Sequence, residues 1–281
     1  MVRTDLVVSL GERDYAVERP WGELPSGMRL DGVSNVAVDS RDRVYVYQRA
    51  DPPLVIFNGD GSFAGSLANG LIGDAHGLAI DRHDRIWLID RDAHVIHAID
   101  QSGNVVQSLG ARGKPRFQEP FNHPAGVAIA PDGEIYVADG YGNSRVHHFA
   151  ADGMFLRSWG KPGGGDGEFT TPHAVALDAR DRVLVADREN NRIQLFDRLG
   201  NFLEAWGDLY HSMDIYVDRA GMIYVTDQIP RLSLFTPDGL LVGRCRPVLT
   251  GAHGISGDGQ GNIYLSEMSP ASQVTRLSPL S

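Results

Sequence analysis

Apolar and polar residues alternate along most of the chain, in short runs separated by polar turns. The stretch VALDARDRVLVAD, which begins at Val175, contains a short apolar strand, a polar turn and a second strand rich in β-branched residues. A period of two, with turns about every 8 to 12 residues, is typical of antiparallel β-strands. Because no segment shows the longer period of an amphipathic helix, the pattern predicts an all-β protein.

This unit recurs six times, at intervals of roughly 40 to 50 residues. The copies begin at Val36, Leu78, Val127, Val175, Ile215 and Ile255. Two more strands follow in each repeat, as in NRIQLF and NFLEAW after the copy at Val175. Four strands in a repeat of about 45 residues are typical of a propeller blade. We therefore predict a six-bladed β-propeller with four antiparallel strands per blade, and one domain that covers residues 1–281.

The segment before the first repeat contains two further apolar stretches, DLVVSL and DYAVE. Since a closed ring of blades leaves no open sheet edge, we expect this segment to supply an outer strand that closes the ring against the last blade.

Composition narrows the range of partners and compartments. The net charge of -10 disfavours binding to nucleic acid or to an anionic membrane surface. The chain starts without the apolar core of a signal peptide, and no run is long enough to span a membrane. Its single cysteine, Cys245, cannot form an intramolecular disulfide and is expected to serve in packing. We therefore expect a cytoplasmic protein that acts on a small molecule.

Histidine occurs at one register position of alternate repeats. The position two residues before each copied strand holds, in chain order, Ser34, His76, Ala125, His173, Met213 and His253. In a propeller the innermost strands face the central channel, so imidazoles from alternate blades would converge from three sides. Three protein ligands with an open position are the arrangement of a catalytic metal site, which predicts zinc, with iron or manganese as alternatives. Otherwise these are repeat-consensus histidines that form hydrogen bonds in turns. His123 lies out of this register and is interpreted as a turn or surface residue.

A second ring follows the second strand of each blade. It holds Arg49, Arg91, Tyr141, Arg188, Gln228 and Met268. Arginine keeps its charge and offers a fork of donors to a carboxylate, so these arginines suggest an anionic or strongly polar substrate. An ion pair between blades is an equally good explanation for any single arginine. The acidic residues that precede most of these positions are expected to accept backbone amides at strand ends.

The repeats resemble NHL repeats, and several phrases resemble the peptidyl-α-hydroxyglycine α-amidating lyase family. These phrases are DGYGNSRV, WG, TPHAVALD and VADRENNRIQLF, and the similarity extends from about Val36 to Leu277. The resemblance implies that zinc is bound by His76, His173 and His253, in agreement with the register of the repeats. It further implies a catalytic tyrosine at Tyr141 and active-site arginines at Arg49 and Arg188.

The chain departs from the family pattern in three respects. Gly142 and Leu184 stand where the family has disulfide cysteines, and Gly251 replaces a methionine two residues before the last histidine. Gly254 replaces an acidic residue that the family associates with a structural calcium, so the resemblance does not extend to calcium.

The implied chemistry is a lyase reaction on a carbinolamide, in which loss of the hydroxyl proton leads to a carbonyl and an amide. Tyr141 would take that proton, and a small N-acyl or ureido carbinol is the expected substrate. Two alternatives are a metal-dependent hydrolase of a small ester, lactone or amide, and a non-enzymatic NHL propeller that binds a protein partner.

Overall fold

The computed structural model describes residues 6–268 and 270–280, and across these residues the protein is built from β-strands. The described part contains 25 strands and one short 3-10 helix, Arg188–Asn190. The strands form six sheets, five with four strands and one with five. The protein is a six-bladed β-propeller with four antiparallel strands per repeat, as the repeats predict.

The strands follow the six repeats in chain order. Two strands precede the first repeat: β1 (Val7–Leu10) and β2 (Arg13–Glu18). The first sheet contains β3 (Val33–Val38), β4 (Val44–Gln48), β5 (Leu54–Phe57) and β6 (Phe63–Leu67). The second contains β7 (Ala75–Ile80), β8 (Ile86–Asp90), β9 (Val95–Ile99) and β10 (Val105–Gly110). The third contains β11 (Gly126–Ile129), β12 (Ile135–Asp139), β13 (Arg145–Phe149) and β14 (Phe155–Trp159).

The remaining sheets repeat this order. The fourth contains β15 (Pro172–Leu177), β16 (Val183–Asp187), β17 (Arg192–Phe196) and β18 (Phe202–Trp206). The fifth contains β19 (Ser212–Val217), β20 (Ile223–Asp227), β21 (Leu232–Phe235) and β22 (Leu241–Cys245). The sixth contains β23 (Ala252–Gly257), β24 (Ile263–Glu267) and β25 (Gln273–Pro279), followed by β2 and β1.

The N-terminal segment joins the last sheet, as predicted, and it supplies two strands. β2 pairs antiparallel with β25, with Ala16 opposite Ser278, and β1 pairs with β2 at the edge. The two ends of the chain therefore share one sheet.

The chain is divided into two compact units. One unit comprises Met1–Leu71 with Tyr216–Ser281, and the other comprises Ile72–Ile215. The extent of the single domain, 1–281, stays a prediction.

The core of the first unit includes the lone cysteine. Cys245 lies in a buried cluster with Leu10, Tyr15, Leu234 and Leu265. Burial raises the pKa of its thiol to about 12. Cys245 therefore serves in packing, as expected.

The second unit packs aliphatic and aromatic residues between successive sheets. Trp87, Ile89 and Phe121 belong to one buried cluster, while Tyr136 and Phe196 belong to another.

Within the residues that the structure describes, no helix has both the length and the apolar character that a membrane crossing requires.

A buried aspartate organises the turn between the first two strands of most repeats. Asp81 Oδ1 accepts the backbone N–H groups of His83 and Arg85, at 2.9 and 3.1 Å. Its Oδ2 accepts from Arg85 Nε and from Trp87 Nε1, at 2.7 and 3.0 Å. Burial alone would raise the pKa of Asp81, but these hydrogen bonds outweigh it and lower the pKa. The carboxylate thus fixes one end of the innermost strand, and His76 lies at the other end.

Candidate active site

His76 and His173 are buried near the starts of β7 and β15, the innermost strands of their sheets in unit 72–215. Strand pairing shifts register around each of them, between Ala75 and Leu78 and between Pro172 and Ala174. A bulge of this kind takes a residue out of the regular ladder and redirects its side chain. In the other unit, His253 lies at the same place in β23, with a register shift between Ala252 and Gly254.

Backbone carbonyl groups anchor all three imidazoles. His76 Nδ1 is 2.8 Å from Ala125 O, and His173 Nδ1 is 2.6 Å from Met213 O. In the unit that contains it, His253 Nδ1 is 2.7 Å from Ser34 O. A carbonyl oxygen only accepts, so each Nδ1 carries the proton and Nε2 becomes the ligand nitrogen. Ala125, Met213 and Ser34 occupy the same register position as the histidines, in the repeats that lack one.

His76 and His173 are buried close together in unit 72–215, and each could give a ring nitrogen to a metal ion, while His253 is buried at the same register position of its own unit. Their anchoring matches that of metal-binding histidines, in which a hydrogen bond at one ring nitrogen fixes the tautomer and the ring orientation. Three imidazoles suit zinc, and they also suit iron and other first-row transition metals. The side chains present therefore fit the predicted metal.

Tyr141 contacts both histidines of unit 72–215 through its hydroxyl group. It follows β12 in the segment Gly140–Gly142, and its phenol oxygen lies 3.0 Å from His76 Nε2 and 3.1 Å from His173 Nε2. The two imidazole rings are close to each other, with centroids 4.9 Å apart. A phenol carries one proton and cannot donate to both Nε2 atoms at once. This convergence of one hydroxyl and two imidazole nitrogens is consistent with a cation site.

Arg188 provides a positive charge at the same hydroxyl. It begins the 3-10 helix after β16, and its backbone N–H donates to Thr171 O at 3.2 Å. Its Nη1 donates to the phenol oxygen of Tyr141 at 3.3 Å. Its Nε is buried and has no hydrogen-bond acceptor within the described ranges, although the carboxylate of Glu189 lies 3.4 Å away. Arg188 Nε therefore faces the Glu189 carboxylate, and Nη1 is the nitrogen directed to Tyr141.

Arg91, which the sequence places in the second ring without a catalytic role, lies against Tyr141. Its guanidinium carbon lies 5.0 Å from the centroid of the Tyr141 ring. Burial lowers the pKa of Arg91, but Asp92, Asp74 and Tyr141 outweigh burial and raise it. The sequence indicates this position through the repeat register, because Arg91 directly follows β8 just as Arg188 directly follows β16.

The acidic residues of this ring have the structural role that the sequence predicts. Asp90 accepts the backbone N–H groups of Gly73 and Asp74, at 2.9 and 3.0 Å. Asp187 accepts the N–H of Thr170 at 2.8 Å. Burial raises the pKa of Asp187.

Arg49 and His123 are also located. Arg49 is exposed after β4, in the unit that contains His253, and its role stays a prediction. His123 lies in a bend before β11, with a φ of 60°, and its interpretation as a turn or surface residue stays a prediction. Its backbone N–H donates to His94 Nδ1 at 3.1 Å, and its carbonyl accepts from the N–H of Tyr141 at 3.4 Å.

Comparison with known proteins supports the repeat type and the resemblance. A family model described as NHL repeat matches residues 121–149 and 169–196. NHL repeat-containing protein 3 of Mus musculus is 34% identical over 220 residues, which cover 73% of this chain and 59% of that protein. The chain therefore spans less than two thirds of that relative. A probable peptidyl-alpha-hydroxyglycine alpha-amidating lyase of Caenorhabditis elegans is 39% identical over 132 residues, 45% of this chain and 38% of that protein.

Solved structures agree on the fold. A gluconolactonase of Xanthomonas campestris has a TM-score of 0.72 over 100% of both chains, at 14% identity. Identity this low shows a shared fold alone. Taken with the matched repeats, these similarities show that the chain is a β-propeller with NHL repeats and that it resembles the peptidyl-α-hydroxyglycine α-amidating lyases.

Proposed function

We propose that the protein is a metal-dependent lyase that cleaves the C–N bond of a small carbinolamide and releases an amide and an aldehyde or glyoxylate. One observation carries this proposal. The hydroxyl of Tyr141 lies within 3.0 and 3.1 Å of the Nε2 atoms of His76 and His173. A proton acceptor thus stands next to the nitrogens that would bind a metal.

His76, His173 and His253 would hold the metal, with zinc as our first choice and iron or manganese as alternatives. When bound, the metal would supply Lewis acidity that makes a coordinated hydroxyl group more acidic.

Tyr141 moves the proton in this proposal. As the phenolate, Tyr141 takes the hydroxyl proton of the carbinolamide, and as the phenol it gives that proton to the leaving nitrogen and returns to the phenolate. The C–N bond breaks as the C–OH carbon becomes a carbonyl, so atoms balance without the addition of water. Arg188 Nη1 donates to the phenol oxygen, so a positively charged group lies next to the atom that carries the proton.

Arg188 also supports an anionic or strongly polar substrate. Its guanidinium group keeps a positive charge next to Tyr141 and could bind a carbonyl or carboxylate of the substrate. We propose Arg49 as a second cation for this purpose, on the resemblance alone. The net charge of -10 disfavours nucleic acid and anionic lipid as partners. A cytoplasmic location is proposed because the single cysteine, Cys245, is an unpaired thiol.

The direct test is release of aldehyde from an N-acyl-α-hydroxyglycine by metal-loaded protein in oxygen-18 water. We expect one glyoxylate per amide, and an amide product without solvent oxygen in its acyl group. Solvent label in a released acid would instead indicate a hydrolase. Absence of turnover across a panel of N-acyl and ureido carbinols would favour the alternative of a non-enzymatic propeller that binds a protein partner.

A further inference from the structure

The aromatic ring of Tyr141 is covered by a guanidinium group that is itself held in place. We propose that Arg91 is a positioning residue that fixes the ring plane of Tyr141 and with it the direction in which the hydroxyl donates and accepts beside His76 and His173. This inference rests on the proposed function, since it assigns a further residue to the same site.

Tyr141 needs such support because the core does not hold it. Its side chain is 38% exposed, and it lies between Gly140 and Gly142. Contacts at the tip of the side chain, with two imidazoles and Arg188, restrain the oxygen. The O–H bond of a tyrosine lies in the plane of its ring, so the ring plane sets the direction in which the oxygen donates and accepts, and a precise proton transfer needs that plane to be fixed.

Arg91 is suited to restrain this ring because its own position is fixed. Its backbone N–H donates to Asp74 O at 3.0 Å. Its Nε forms ion pairs with Asp74 Oδ2 at 2.8 Å and with Asp92 Oδ1 at 2.9 Å. The guanidinium therefore presents a fixed cation, 5.0 Å from the ring centroid. Attraction between a cation and an aromatic face favours this single ring orientation.

The propeller scaffold uses a similar pair elsewhere for a different purpose. Arg85 lies over the ring of Trp87 at 5.4 Å, two residues along the chain, and both side chains bind Asp81. That pair belongs to one turn, and Trp87 is fully buried. Arg91 and Tyr141 instead belong to different repeats of the same unit, so turn formation does not account for their contact. Arg85 is therefore a matched control for Arg91.

The experiment compares Arg91→Gln, Arg91→Lys and Arg85→Gln in the full chain. Arg91→Gln should lower kcat by about 10- to 100-fold and leave KM within about three-fold, because a misplaced group costs rate rather than affinity. Arg91→Lys should recover part of this loss, since it keeps the cation without the planar fork. Arg85→Gln should lower the melting temperature and leave kcat of the folded fraction unchanged.

A second readout does not require turnover. 3-Fluorotyrosine placed at position 141 reports ring motion by fluorine NMR, in metal-free and zinc-loaded protein. We expect two resonances in slow exchange in the parent protein and one averaged resonance with Arg91→Gln, while Arg85→Gln keeps two.

Two results would overturn the inference. One is an unchanged fluorine spectrum together with an unchanged kcat in Arg91→Gln. The other is a loss of kcat in Arg91→Gln that merely follows loss of folded protein. If the parent protein turns over no carbinolamide, the proposed function fails, and the fluorine spectra alone then decide whether Arg91 holds Tyr141.

Discussion

His76 Nδ1 lies 2.8 Å from the carbonyl oxygen of Ala125, which holds the same register position in the next repeat. His173 has the same relationship to Met213, at 2.6 Å. A repeat with histidine is therefore followed by a repeat that supplies the carbonyl anchoring it. At this position the neighbouring repeat thus contributes its backbone carbonyl rather than a side chain.

Replacement of His173 by alanine should remove the metal and keep the fold. One ligand of three is lost, and the buried carbonyl of Met213 loses its donor, which costs about 1 to 3 kcal/mol of unfolding free energy. Elemental analysis should show about one metal per parent chain and less than a tenth in the variant.

His97→Ala is the matched control, because His97 bonds to Ser108 on β10 and not to the site. It should keep the full metal content. Equal metal in His173→Ala and the parent protein would exclude His173 as a ligand.

Replacement of Arg188 by glutamine should slow turnover without loss of metal. The variant loses the cation that donates to the phenol oxygen of Tyr141 at 3.3 Å, and loss of one such donor costs roughly 10²- to 10³-fold in kcat. Steady-state kinetics on metal-loaded protein measure this.

Arg192→Gln serves as the comparison, because Arg192 Nε donates to the structural carboxylate of Asp187 at 2.8 Å. This variant should lose stability rather than turnover. An Arg188→Gln variant with parental kcat would show that this arginine takes no part in the reaction.

The pH dependence of stability should reveal the turn aspartate Asp81. Its folded pKa lies below the ordinary value of 3.8, so the unfolded chain binds its proton first as the pH falls. Its contribution is complete above about pH 4 and is lost as the pH drops through the folded pKa.

Asp81→Asn should therefore reduce the unfolding free energy at pH 7 by about 1 to 3 kcal/mol. The difference in unfolding free energy between this variant and the parent protein should become smaller below about pH 4. Urea unfolding from pH 3 to 7 measures both. A difference in unfolding free energy that is the same at every pH in this range would show that ionisation of Asp81 does not stabilise the fold.

The thiol of Cys245 should be inert in the folded protein. Burial raises its pKa to about 12, so almost no thiolate is present at pH 8. Iodoacetamide should label it on unfolding in urea and not before. Labelling of native protein at the rate of a small thiol would place Cys245 at the surface.

The sequence predicted the repeating architecture and the histidine register because both depend on spacing along the chain. It did not predict the carbonyl anchor of His76, because that contact depends on which backbone atom the next repeat brings to the imidazole. The same holds for Arg91, since its register is visible in the sequence but the tyrosine ring beneath it is not. The register placed Tyr141 in the second ring, but its catalytic role was assigned only by resemblance, because a tyrosine in a glycine-rich turn has no distinctive pattern of its own.

We propose that Tyr141 transfers a proton beside the metal-binding histidines. The direct test is the ratio of kcat between the parent protein and Tyr141→Phe at equal metal content. Phenylalanine keeps the ring under Arg91 and removes the hydroxyl that lies 3.0 Å from His76 Nε2. We predict a decrease of about 100-fold or more in aldehyde release from an N-acyl-α-hydroxyglycine, with metal and melting temperature retained. Equal rates in the two proteins would contradict the account.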